Sequence, residues 1–307
     1  MNDLTLEDAI NLAGGPVTEE NYPAIMPIDQ LYETYSTLRS IASHFEHICA
    51  KMQLQYFVTI ALIMSPSFSC RVRTISNGFV IFLPLGFIER IRVFSLLLLG
   101  YWGKEKPFRF IRSILDKGPA DAEAIPPNLR PIFLDDFDSE ELWQQLNILD
   151  KSLDCHFDEK VRKLFQEDVK ELVHLSIVYI LSHEFAHVIY GHLDLLKHSQ
   201  TKNVGLSNTE ISRGIETDAD IGATQISLQI LTGDCHRAKK ERKPVKLELG
   251  CLRLAYTVTM LFAMTDTHKK YLGTYDESAY NHPMVRCELF HYVAEHSINA
   301  DKNTLNP

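Results

Sequence analysis

His183-Glu184-Phe185-Ala186-His187 sets two histidines four residues apart, with a glutamate beside the first. On a helix, residues four apart share a face, so His183 and His187 can offer two imidazole nitrogens to one metal ion. Glu184 borders that face, where a carboxylate can reach a metal-activated water as general base. Zinc suits this donor pair. A catalytic zinc takes three protein ligands and leaves a fourth position for water. A third ligand must therefore come from elsewhere in the chain.

A histidine six residues beyond the second would serve, but that position is Leu193. His174 and His192, each nine residues from His183, would point to the opposite side of a continuous helix at about 100° per residue. Glu216 follows at a distance that leaves room for a loop and a returning helix, and it is the expected third ligand. Asp220 lies four residues on, on the same face. Its carboxylate is expected to accept the second N–H of a liganding imidazole, that of His183. Asp218 falls between them and is expected to face solvent.

The elements that must position these residues follow from periodicity. Residues 159–190 read as one long apolar helix or two abutting ones, stopped by Gly191. Residues 198–207 read as a loop. A helix over 208–231 carries Glu216-Thr217-Asp218-Ala219-Asp220 and is expected to end at Thr232-Gly233. Residues 236–244 are basic and read as a solvated excursion. Helices over 247–267 and 283–297 follow, with 298–307 frayed. In the N-terminal half, 4–12 and 28–52 read as amphipathic helices. Residues 55–63, 70–75 and 79–83 are rich in β-branched and aromatic residues, and Ser76-Asn77-Gly78 signals a turn. This pattern predicts a three-strand antiparallel meander. Residues 86–102 return to helix. A proline-rich connection leads to a helix over 138–153, with Asp138 as its N-cap. The fold class is thus α+β, predominantly helical, with a small antiparallel sheet in the N-terminal half.

Composition narrows the partners. The chain has 307 residues, 45% apolar and 23% charged, as in ordinary folded proteins. A formal net charge of -9 weighs against nucleic acid or an anionic membrane surface as the main partner. Six dispersed cysteines without a C-x-x-C pair read as reduced thiols. The opening residues carry no secretory pattern, and no uninterrupted apolar run reaches the ~18 residues of a spanning helix. The expectation is a cytoplasmic protein with no membrane role; its oligomeric state is not legible.

Taken together, His183-Glu184-x-x-His187 with Val188-Ile189-Tyr190-Gly191-His192, then Glu216-Thr217-Asp218-Ala219-Asp220, then Asn281-His282-Pro283 resemble the gluzincin metallopeptidases. The membrane prenyl-protein and heat-shock zinc proteases share these three blocks but carry transmembrane helices. A closer resemblance is to the soluble phage-exclusion peptidases of the Lit type, which cleave translation elongation factor Tu. It extends more weakly to Pro66–Arg73.

The resemblance implies a zincin-like metallopeptidase domain over 55–307, preceded by an N-terminal helical segment over 1–54, with a single compact domain as the alternative. Within that domain the active-site helices would be 159–192 and 208–232. It implies Zn2+ on His183, His187 and Glu216, with Glu184 as base and His282 near the open side of the metal to stabilise an oxyanion. Tyr280 is a second candidate for that role. One departure stands out: family members have an arginine six residues after this histidine, where the chain has Glu288. Arg286, at four, is the nearest basic residue. The implied function is a zinc endopeptidase acting on one or a few proteins, in anti-phage defence, under control of an activating or inhibiting protein or peptide. An edge strand of the small sheet could pair with an extended substrate. The alternative is a zinc-binding regulatory protein without proteolytic activity, against which the intact Glu184 counts.

Overall fold

The strongly apolar segments Phe57–Ile63 (β1) and Gly78–Pro84 (β3) lie side by side, and the more polar Arg71–Ile75 (β2) lies outside them. The computed structural model describes residues 4–22, 28–102, 130–133, 139–154, 159–199, 208–240, 247–271 and 283–305. Strand order is β1-β3-β2, with β1 parallel and β2 antiparallel to β3. The sheet is therefore mixed, which corrects the expected antiparallel meander. Burial explains the difference. β3 is covered on both faces and takes the centre, while β2, with exposed Arg71 and Arg73, takes the edge. A meander would have put the arginine-bearing strand in the middle. The connection from β1 to β2 instead crosses the end of β3. Pro66 backbone passes so close to Gly86 that a Cβ there would lie 2.7 Å from the Pro66 Cα. The Gly86 amide donates to the Ser65 carbonyl at 3.0 Å, and Arg90 donates to the Pro66 carbonyl.

Ala9 of helix α1 (Leu6–Leu12) and its C-cap Ala13 pack on one sheet face, against Ala61, Ile63, Ile75, Val80 and Phe82. Helix α2 (Ile28–Lys51) buries Leu31, Leu38, Ile41, Phe45 and Cys49, the three-and-four spacing of an amphipathic helix, and packs along β1. Helix α3 (Leu85–Trp102) follows β3 directly and is buried over most of its length. The charges on it are paired inside. Arg92 donates through Nε to Glu89 at 3.0 Å and through Nη1 to Asp150 at 3.1 Å. Asp150 lies on α5 (Ser139–Asp154), which follows the short α4 (Arg130–Phe133). Asp138, the expected N-cap of α5, lies outside the described residues.

Among the described residues the second half forms helices: α6 (Glu159–Ile189), α7 (His192–Ser199), α8 (Asn208–Lys240), α9 (Leu247–Tyr271) and α10 (Pro283–Leu305). Three boundaries differ from expectation. α8 runs past Thr232-Gly233 into the basic segment, because one interior glycine costs a helix only about 1 kcal/mol and Ala238-Lys239-Lys240 are good helix formers. α10 continues to Leu305, with no glycine or proline to stop it. Residues 192–199 form the separate α7, which takes in His198 and Ser199 of the expected 198–207 loop. The segment Gln166–Ile189 of α6 is long and apolar enough, by length and composition, to cross a membrane, although no uninterrupted run occurs; 67% of its most apolar window is buried inside the protein.

The chain divides into two compact units, Met1–Ile177 with Ala263–Tyr275, and Val178–Phe262 with Asp276–Pro307. The sheet belongs to the first. All the described candidate site residues belong to the second.

Candidate metal centre

The C-terminal half of α6 is largely apolar, and Leu181, Phe185, Ala186 and Val188 are buried around its last turns. That burial fixes the helix and so the direction of the polar face bearing His183, Glu184 and His187. The helix ends where Gly191 adopts φ +70°, a left-handed conformation that favours glycine. α8 crosses α6 closely because of a second glycine. A Cβ on Gly222 would lie 2.8 Å from the Ala186 Cβ and 2.9 Å from the Tyr190 ring. This approach carries Glu216 and Asp220, six and two residues before Gly222, to the two histidines.

The structure brings His183, His187 and Glu216 together as a group that could hold a metal ion, with one ligand atom from each, all within 4.8 Å of one another. The Nε2 atoms of the two histidines are 3.1 Å apart. Glu216 places Oε2 3.5 Å from His183 Nε2 and Oε1 3.9 Å from His187 Nε2. Asp220 lies on the other side of His183, its Oδ1 3.1 Å from Nδ1; the distance suits a hydrogen bond, although the N–H does not point squarely at the oxygen.

Asp220 is itself gripped. Arg286 of α10 donates through Nε to Oδ2 at 2.6 Å and through Nη2 to Oδ1 at 2.8 Å, a bidentate fork. The Tyr179 hydroxyl adds a longer bond to Oδ1 at 3.4 Å. Arg286 lies over the Phe262 ring, 4.1 Å from its centroid, and Tyr179 meets Phe262 and Phe290 edge-on. Asp220 and Arg286 are 3% and 8% exposed, so the pair is desolvated and mutually dependent.

Charge follows from this arrangement. Burial alone would raise the Asp220 carboxyl; Arg286 and then His183 reverse that and hold it well below the usual carboxylate range. Burial likewise opposes the Glu216 anion, but His183 brings its pKa down to about 2. Burial disfavours charge on His183, yet Asp220 and Glu216 outweigh it and push the imidazole up to about 10. His187, desolvated and beside that charge, is pushed down to about 3. The Nε2 atoms of the two histidines face each other at a distance that fits one bridging proton. A cation can replace that proton, and Glu216 supplies a negative oxygen to it. Glu184 is pushed up to about 7, chiefly by burial, with Glu216 adding and His183 opposing.

Asp218 is exposed, as expected, but His192, set aside on sequence grounds, lies against the site. His192 places Nδ1 3.0 Å from His187 Nδ1, and its Nε2 is 4.0 Å from Asp218 Oδ2. The helical phase that points His192 away assumes an unbroken helix; the turn at Gly191 breaks it and swings His192 back. The sequence marks Arg286 only as a displaced arginine and does not reveal its pairing with Asp220. The available signal is a lone cation among the apolar Met284, Val285 and Cys287. Tyr280 and His282 lie outside the described residues. No family model, curated protein or solved structure matches the chain.

Proposed function

We propose that the chain is a zinc-dependent endopeptidase of zincin-like fold. The observation that carries this reading is the convergence of His183 Nε2, His187 Nε2 and the Glu216 carboxylate, with Glu184 next to His183 on the same helix. Two zinc–nitrogen bonds of about 2.0–2.1 Å at a tetrahedral angle separate the nitrogens by about 3.3 Å, close to the spacing of this pair. Asp220 behind His183 supplies the carboxylate that commonly orients a liganding imidazole.

When bound, zinc supplies a Lewis acid that acidifies water and polarises a carbonyl. The side chains supply the rest. Glu184, as carboxylate, takes a proton from the attacking water and returns it to the leaving amine. His183, His187 and Glu216 hold the reacting centre, and Asp220 with Arg286 keeps His183 turned toward it. His282, with Tyr280 as second candidate, is the proposed oxyanion donor. By resemblance to the Lit-type peptidases, we place the activity in the cytoplasm, in defence against phage, with translation elongation factor Tu as candidate substrate and a protein or peptide as trigger.

The test is the Glu184→Gln variant. It should keep zinc and lose chelator-sensitive fragments from a cell lysate, a loss of at least about 10²-fold for a missing general base. Unchanged cleavage by this variant would sink the mechanism. Full zinc with no fragments from the wild type would favour a binding role.

A further inference from the structure

We infer that His192 and Asp218 form a positioning pair for His187, fixing its proton on Nδ1 so that Nε2 offers a lone pair to the metal; this rests on the metal reading above. The argument is one of proton direction. His187 Nδ1 and His192 Nδ1 face each other at 3.0 Å, the rings edge to face at 5.1 Å between centroids. Two ring nitrogens at that distance bond only if one carries a proton and the other does not. If His187 donates, its Nε2 is bare and can take a metal. If His192 donates, the His187 proton moves to Nε2 and blocks the metal. His192 settles the choice through its other nitrogen. Nε2 lies 4.0 Å from Asp218 Oδ2, too far for a direct hydrogen bond, but the charge of the carboxylate favours the proton on Nε2 and leaves Nδ1 bare.

The ring is also held for the task. His192 is 4% exposed and begins α7 directly after the Gly191 turn, with Tyr190 tilted against it at 5.6 Å between centroids. The Gly191 carbonyl accepts from the Leu195 amide at 3.0 Å, which fixes the turn to the new helix. Two acids two residues apart on α8 thus serve the two histidines. Asp220 acts on His183 directly, and Asp218, with its side chain 66% exposed, acts on His187 through His192.

The experiment compares wild type with His192→Phe, His192→Asn and Asp218→Asn. Zinc affinity is measured by competition with a chromophoric chelator. The His187 tautomer is read from long-range 1H–15N spectra of metal-free protein labelled at histidine nitrogen. His192→Phe should weaken zinc roughly 10–100-fold and move His187 away from the Nδ1–H tautomer. His192→Asn, whose amide oxygen can accept from Nδ1–H, should recover most of the affinity, which a packing role for the ring would not predict. Asp218→Asn should fall between. If His192→Phe or, should that variant fail to fold, Asp218→Asn leaves both affinity and tautomer unchanged, the pair is wrong while the metal site stands. A wild type that takes up no zinc, yet whose His187 tautomer shifts in His192→Phe, would refute the metal reading and keep the pair.

Discussion

Asp220 accepts from Arg286 through both oxygens and faces His183 with one of them, so one buried cation and one imidazole depend on a single carboxylate. Removing one member of such a pair leaves the other uncompensated. Arg286→Met should destabilise the protein by about 3–5 kcal/mol in chemical denaturation, and the double variant with Asp220→Asn should recover part of that loss. The pH dependence has a definite sign. The Asp220 pKa is depressed in the folded state, so its contribution is complete above the ordinary carboxylate pKa and drains away as pH falls below it. Acid titration of stability should therefore be shallower in Asp220→Asn than in wild type. At this scale, the shared faces of His183 with His187 and of Glu216 with Asp220 were legible because four-residue helical spacing is a local rule. Arg286 and His192 were not, because one depends on a contact 66 residues away and the other on a turn that breaks the phase.

α8 can bring Glu216 to the histidines only because it lies close to α6, and Gly222 permits that approach. Gly222→Val places side-chain atoms into Ala186. The variant should cost about 1–3 kcal/mol of stability by overpacking, and it should weaken zinc binding although no ligand is changed. Unaltered zinc affinity by chelator competition would show that the site does not need this helix spacing. The elements themselves were largely readable: strand positions, the turn at Ser76-Asn77, and the long helix carrying the motif. Their pairing and ends were not. Alternation and turn residues locate strands, but only the tertiary burial of β3 decides which strand takes the centre. A lone glycine such as Gly233 does not by itself stop a helix that good formers continue.

For the molecule as a whole, the mostly helical α+β character followed from periodicity, whereas the two-unit division did not, since it returns residues 263–275 to the first unit. A ligand that binds only the folded state stabilises it by mass action, by about 4 kcal/mol at a thousand times Kd. Zinc should thus raise the melting temperature of the wild type, a chelator should reverse the rise, and Glu216→Gln should abolish most of the difference. The Asp220–Arg286 fork also sets a clock on biosynthesis. His183, Glu184, His187 and Glu216 all leave the ribosome before Arg286, which follows Asp220 by 66 residues. At synthesis rates of about 5–20 residues per second, that interval is roughly 3–13 s. During it the nascent chain holds the metal-binding motif without the cation that locks Asp220 behind His183. The carboxylate of Asp220 is then free to compete for the ion that Glu216 should take. Chains stalled before residue 286 should bind zinc more weakly than chains that include α10, and the His183–His187–Glu216 group would thereby stay incompletely supported until α10 has been made.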